Sequence, residues 1–183
     1  MATHMSHVEL VSSDQAPLLA RPYFGTEEPS PLIAALAHVP EFIETAMPFI
    51  DSVFGPSSLP DRLKEIVVLR ASSKNSCRYC VATHTVVARE AGLSAAEVAA
   101  LRGDTSAAAF AEIEQAVIAF TDALCDRPEE AVTHLRAHFD DPQIVELTTL
   151  GAATIMLNRF AVALGLPPSA ETQRRLNEEG LQL

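Results

Sequence analysis

Apolar residues along most of the chain recur at the spacing of a helix. The clearest stripe holds five large side chains spaced alternately by three and four residues: Phe110, Ile113, Val117, Phe120 and Leu124. No segment shows the alternation of a half-buried strand, and no motif repeats with a fixed period. The pattern therefore predicts an all-α fold, a bundle of amphipathic helices.

The last long helix is predicted to be apolar on nearly every side. Asp141-Pro142 opens it, the body runs from about 143 to 164, and Gly165 ends it. Asn158 and Arg159 interrupt its apolar run, which argues against a membrane span. We expect this helix in the centre of a bundle or in an oligomer interface.

Prolines and serines mark the boundaries in the first half of the chain. Residues 1–29 are polar and rich in proline, which predicts an extended N-terminal arm, in a position to pack on a neighbouring chain, before one helical domain at 30–183. Pro40 and Pro48 are expected to break the helices between 32 and 54. Ser58 is the predicted N-cap of a helix over about 60–73.

Further boundaries follow from the same rules. A polar turn is expected over 72–76, and the next helix runs from about Cys77 to Gly92. Ser94 and Glu97 form a predicted capping box. Pro128 is expected to start another helix, and a polar helix closes the chain.

Composition narrows the function classes. A length of 183 residues suits a single domain with a substantial core. The 13 basic and 24 acidic side chains give a net charge of -11, which repels nucleic-acid phosphates and anionic membranes. Three cysteines form no disulfide framework, and the N-terminus lacks a signal-peptide pattern, so we expect a cytoplasmic protein.

The pair Cys77 and Cys80 is the strongest chemical signal. A Cys-x-x-Cys that opens a helix brings two thiols within disulfide reach, and the helix N-terminus favours the reactive thiolate. His84 follows Cys80 by one turn on the same face and suits a proton carrier. Glu65 precedes the pair and lies beside a dense apolar run. Its carboxylate is either exposed to solvent, the ordinary case for a lone glutamate, or a partner that raises the pKa of the imidazole.

Other interpretations of these residues stay open. A zinc site would need four ligands, and Cys125 is the only other thiol, so we predict no metal and no cofactor. Cys125 itself reads as a small core residue. Tyr79 serves packing or a hydrogen bond equally well. Glu130, His134 and His138 recur at i, i+4, which is more typical of a solvated helix face than of a metal site.

The chain resembles the AhpD-like alkylhydroperoxidases of the carboxymuconolactone decarboxylase superfamily. The resemblance rests on Glu65, eleven residues, Cys77-x-x-Cys80, three residues and His84. The flanking segments 63–69 and 81–85 are similar too, and 156–165 is similar to the closing helix of the peroxidase-related branch. The similarity covers roughly residues 30–165.

The resemblance implies an all-helical homo-oligomer, a trimer or a hexamer, that reduces hydrogen peroxide or organic hydroperoxides. It implies that Cys80 is the peroxidatic cysteine, that Cys77 is the resolving cysteine and the more open of the two, and that Glu65 and His84 form a proton relay. The implied partner is a dithiol reductant, either a lipoyl-bearing or a thioredoxin-like protein. Tyr79 stands where the well-studied peroxidase of this family has a histidine.

Two other hypotheses accompany the peroxidase. In the first, Glu65 and His84 act as acid and base of an enzyme on a small lactone, and activity survives loss of both thiols. In the second, the chain is a redox sensor whose Cys77–Cys80 disulfide changes an interface without multiple turnover.

Overall fold

The computed structural model describes residues 6–25 and 28–181. Within these residues the chain forms nine α-helices and no strand, so the predicted all-α class is confirmed. The helices are α1 Pro31–Leu36, α2 Pro40–Phe54, α3 Asp61–Lys74, α4 Arg78–Glu90, α5 Ala95–Arg102, α6 Glu112–Asp126, α7 Pro128–Ala131, α8 Asp141–Leu164 and α9 Ala170–Glu178.

Helix α3 occupies the centre of the bundle. It contacts α4, α5, α6 and α8, and Ile66, Val67 and Leu69 on it are fully buried. Its sides are apolar over consecutive positions, so each side can pack on a different neighbour. Two ion pairs across this centre, Arg62–Glu114 at 2.6 Å and Arg70–Asp122 at 2.6 Å, join α3 to α6.

Helix α8 has the predicted ends, and its burial is one-sided. Asp140 and Gln143 form a capping box at its start, and Gly165 ends it with φ +62°. The helix is long and apolar enough to cross a membrane, yet Leu147 and Leu150 pack in the core of the bundle. Its outer face carries six exposed positions spaced by four and three residues: Val145, Thr149, Ala152, Met156, Arg159 and Ala163.

Two boundary predictions in the first half are wrong. Pro48 lies inside α2 and does not end it, because packing of the helix, including the fully buried Ile43, outweighs the lost backbone hydrogen bond. Ser58 does not cap α3. Its hydroxyl donates to Glu146 Oε2 at 2.8 Å, while the Pro60 carbonyl accepts the first helical N–H groups.

The N-terminal segment packs on its own chain over residues 6–25. The His7 backbone N–H donates to the Leu164 carbonyl at 2.8 Å, and that of Val11 to the Ala34 carbonyl at 3.2 Å. Ala20 is fully buried. Residues 1–5, 26 and 27 of the predicted arm lie outside the described residues, and the domain boundary at residue 30 stays a prediction.

The core around α3 predicts a large difference between two phenylalanines. Phe120 on α6 is fully buried, whereas Phe42 on α2 is 53% exposed. We expect Phe120→Ala to lower the free energy of unfolding by about 3–5 kcal/mol, because transfer energy and a cavity add. Phe42→Ala, the matched control, should lower the free energy of unfolding by well under half of that amount. Equal losses in a urea titration of the two variants would contradict this packing.

Candidate functional site

The turn between α3 and α4 positions the cysteine pair. The Ser76 N–H donates to the Ser73 carbonyl at 2.9 Å and the Cys77 N–H donates to the Ser72 carbonyl at 3.0 Å, the two bonds of a Schellman motif. Ser76 takes the left-handed position with φ +55°, which glycine usually occupies. The predicted turn at 72–76 is thus shorter, since α3 continues to Lys74. Cys77, the last residue of this motif, therefore lies immediately before the first residue of α4.

Cys77 is the N-cap residue of α4, as the opening Cys-x-x-Cys predicts. The Cys80 backbone N–H donates to the Cys77 sulfur at 3.3 Å, so a thiol fills the place usually held by a Ser or Asp oxygen. Both cysteines are free thiols here. They pack with Ala35, Ala161 and Leu166 in one apolar cluster, which Val8 and Leu10 of the N-terminal segment cover.

The expectation that Cys77 is the more open thiol is wrong for this chain. Cys77 is 1% exposed and Cys80 is 7% exposed. Cys77 is the less accessible thiol because its backbone N–H is hydrogen-bonded to the Ser72 carbonyl, which holds it against the C-terminal end of α3.

Glu65 and His84 meet across α3 and α4. Nδ1 of His84 donates to Oε2 of Glu65 at 2.9 Å, and both side chains are largely buried. The His84 ring also lies near Phe54, with ring centroids 6.1 Å apart. The carboxylate fixes the orientation of the imidazole, which leaves Nε2 as the nitrogen free for proton transfer.

The electrostatics of the pair favour negative charge on Cys77. The side-chain hydrogen bond from Cys80 lowers the pKa of Cys77, with help from the Cys80 backbone N–H and the nearby His84. The same hydrogen bond, together with burial, raises the pKa of Cys80. Negative charge is therefore favoured on Cys77 over Cys80, and a proton is favoured on Cys80 over Cys77.

Asn158 of α8 also belongs to this site, although its only signal in the sequence is a polar residue within an apolar helix. It is fully buried and its Nδ2 donates to Ser72 Oγ at 3.0 Å. The amide also lowers the pKa of both thiols, and Ala161, one turn further along α8, packs in the same apolar cluster as the two cysteines. No regular spacing links Asn158 to the cysteines, so only the fold brings them together.

Tyr79 and Cys125 have separate surroundings. Burial raises the pKa of Tyr79 to about 12, opposed by hydrogen bonds to the Ser30 side chain and the Leu32 backbone. The phenol is therefore protonated at neutral pH, and it both packs and hydrogen-bonds. Cys125 lies on α6 beside Asn75, whose Nδ2 is 3.8 Å from its sulfur, and burial raises its pKa.

Glu130, His134 and His138, which recur at i, i+4 spacing in the sequence, do not lie on one helix. Helix α7 ends at Ala131, a 3₁₀ turn follows over Val132–His134, and Glu130 and His134 are exposed. His138 instead lies 3.9 Å from Glu112 of α6. Among the described residues, no group of three or more His, Cys, Asp or Glu side chains is arranged to hold a metal ion.

This helical arrangement recurs in known proteins of the AhpD-like class. A peroxidase-related protein from Ralstonia eutropha JMP134 with an alkylhydroperoxidase AhpD core superposes with a TM-score of 0.82, at 20% identity over 93% of this chain and 96% of that one. A putative antioxidant defence protein AhpD from Agrobacterium tumefaciens gives 0.68, at 29% identity over 74% and 96%. The debrominase Bmp8 gives 0.76, at 20% identity over 92% and 95%.

The sequence itself matches the carboxymuconolactone decarboxylase family over residues 40–123. That range includes Glu65, Cys77, Cys80 and His84 and ends before Asn158. The chain is thus similar in sequence to the carboxymuconolactone decarboxylase family over this segment, and it shares the fold of AhpD-like proteins.

The hydrogen bonds at the cysteine pair predict an acidic first thiol. Because the folded state lowers the pKa of Cys77, one thiolate should be present at pH values below the ordinary thiol range of about 8.5. The ultraviolet absorbance of thiolate, recorded against pH in a Cys125→Ala background, measures it. Cys77→Ser in that background should raise the first midpoint, since Cys80 alone is the buried, disfavoured thiol. A first midpoint at or above that of free cysteine would contradict the assignment.

Proposed function

We propose that this protein is a thiol-dependent peroxidase that reduces hydrogen peroxide or organic hydroperoxides through Cys77 and Cys80. The family similarity over residues 40–123 and the fold support a peroxidase-related, antioxidant role in general terms. The observation that carries the specific proposal is the hydrogen-bonded thiol pair beside the Glu65–His84 pair. Two adjacent thiols supply the two electrons that a peroxide accepts, and the buried acid–base pair supplies the protons.

The first step forms a sulfenic acid on Cys80. As the Cys80 sulfur attacks the outer peroxide oxygen, its proton passes to the Cys77 thiolate with which it is hydrogen-bonded. The sulfur–oxygen bond forms and the oxygen–oxygen bond breaks. His84, oriented by Glu65 and entering the step with both ring nitrogens protonated, donates its Nε2 proton to the departing alkoxide, which leaves as an alcohol.

The second step closes the disulfide. His84 takes the proton back from Cys77, whose sulfur attacks the Cys80 sulfur, and the hydroxyl leaves with that proton as water. The sum is one hydroperoxide and two thiols converted to one alcohol, one water and one disulfide. A dithiol reductant, lipoyl-bearing or thioredoxin-like, restores the pair by exchange. We place this cycle in the cytoplasm, where thiols are kept reduced.

The second part of the proposal is that the exposed face of α8 binds further copies of this chain. Apolar or small residues at four of its six positions follow the spacing of a helix-packing seam: Val145, Ala152, Met156 and Ala163. Val145 is 64% exposed and Met156 is 52% exposed. With Phe49 of α2 they line an apolar groove of about 630 Å³. A trimer or a pair of trimers is the assembly that we propose.

The chemistry predicts different outcomes for the two cysteine variants. Cys80→Ser should reduce peroxide consumption with excess dithiol to background, because the attacking sulfur is gone. Cys77→Ser should consume a single equivalent of peroxide, more slowly, and leave a sulfenic acid on Cys80 that dimedone traps. Cys125→Ala, the matched control, should turn over as the parent does.

Each competing function has its own signature in that assay. Full turnover by Cys80→Ser would contradict the proposal, and a sulfenic acid trapped on Cys77 would reverse the two roles. Oxidation of the thiols without multiple turnover would indicate a redox sensor. Conversion of a lactone by a variant that lacks both thiols would indicate a decarboxylase-like enzyme. Because Bmp8 has this fold and binds 2,3,4-tribromopyrrole, that compound serves as the contrasting substrate, for which we expect no bromide release.

The proposed interface predicts a change in mass. Met156→Asp should shift the protein to a monomer in light scattering, because a carboxylate would be buried in an apolar seam. Glu178, exposed on α9, a helix that contacts α4, provides the control Glu178→Asp, which should leave the mass unchanged. A monomeric parent protein would refute the assembly without touching the thiol chemistry.

A further inference from the structure

Asn158 has an unusual position for a polar side chain. It lies in the middle of α8, is fully buried, and contacts the fully buried Ser72 of α3 through Nδ2. The backbone carbonyl of the same Ser72 accepts the N–H of Cys77. A single residue of α3 therefore anchors both the amide side chain and the cysteine turn.

The hydrogen-bonding capacity of the Asn158 amide is only partly used by this anchor. Nδ2 carries two hydrogens and Ser72 takes one, while Oδ1 is buried and has no hydrogen-bond partner among the described residues. Ala161, one turn further along α8, packs against the cluster that contains Cys77 and Cys80, so this face of the helix lies at the thiols, and the amide lowers the pKa of both. A buried amide that served only to tie α8 to α3 would be expected to have its oxygen satisfied as well.

We infer that Asn158 is the residue that stabilises the reactive sulfur of the Cys77–Cys80 pair. The second Nδ2 hydrogen donates to the thiolate, and Oδ1 remains a buried acceptor without a partner while the Cys80 S–H donates to Cys77. When Cys80 becomes a sulfenic acid, the same oxygen can accept its hydroxyl hydrogen. This last role rests on the proposed peroxidase function, whereas the thiolate role does not.

The family match carries no information on this residue, since it ends at residue 123. The argument therefore depends on the tertiary contact between α8 and the α3–α4 turn. A hydrogen bond to an anion is stronger than one between neutral groups, so its loss should be visible in the ionisation of the pair.

The test compares variants in the Cys125→Ala background by the pH dependence of thiolate absorbance, with no peroxide present. Asn158→Leu keeps the approximate size of the side chain and removes both polar atoms. Asn158→Asp keeps the shape and the contact with Ser72 but replaces the donor by an acceptor, and it serves if the Leu variant does not fold. Ser72→Ala removes only the anchor and is the control for disturbed packing.

We expect Asn158→Leu to raise the midpoint of the first thiol ionisation by about one pH unit, which is about a tenfold decrease in the acid dissociation constant. Asn158→Asp should raise it at least as much, because a second negative charge then faces the thiolate. Ser72→Ala should raise it by less than half as much.

Midpoints within about 0.2 pH unit of the parent in the Asn158 variants would overturn the inference, as would equal shifts in Asn158→Leu and Ser72→Ala. The result is independent of catalysis. A shifted midpoint in a protein that never consumes peroxide would leave this inference standing and refute the proposed function instead.

Discussion

The junction between α3 and α4 is the constraint on which the candidate site depends. Its Schellman motif holds Cys77 at the end of α3, and the Cys77 sulfur then accepts the N–H of Cys80 in the first turn of α4. Because this turn fixes how α4 leaves α3, it also brings His84 on one helix against Glu65 on the other. One local arrangement thus sets the geometry of both the thiols and the acid–base pair.

Burial gives this arrangement its chemical consequences. Two thiols in an apolar cluster would ordinarily both resist ionisation, yet Cys77 is favoured as a thiolate through direct hydrogen bonds. The three compensating groups come from two helices: Cys80 and His84 of α4, and Asn158 of α8. The N-terminal segment completes the cluster with Val8 and Leu10, so its packing also belongs to the site.

Local sequence signals predicted much of this architecture. The capping boxes at Ser94 and Asp140 and the left-handed Gly165 reflect strong short-range preferences, so the ends of α5 and α8 could be predicted well. The turn at Ser76 was harder to predict because glycine, the usual residue there, is absent. The effect of Pro48 depends on tertiary packing, which can offset the backbone hydrogen bond that a proline removes from a helix interior.

The remaining features depend on contacts that no spacing encodes. Ser72 and Asn158 are 86 residues apart, and a polar residue in an apolar helix says nothing about its partner. Likewise, a helix that is apolar all round does not reveal which side it buries. Only the packed bundle distinguishes the inner face of α8 from the outer face with Val145 and Met156.

The most direct test of the central claim counts electrons in the reduced protein. Hydrogen peroxide is added in small portions without any external reductant, and the loss of thiols and the peptides joined by disulfides are measured after each portion. The account predicts one Cys77–Cys80 disulfide for each peroxide consumed, with Cys125 unmodified. Peroxide that is not consumed, or a disulfide through Cys125 in place of the pair, would contradict it.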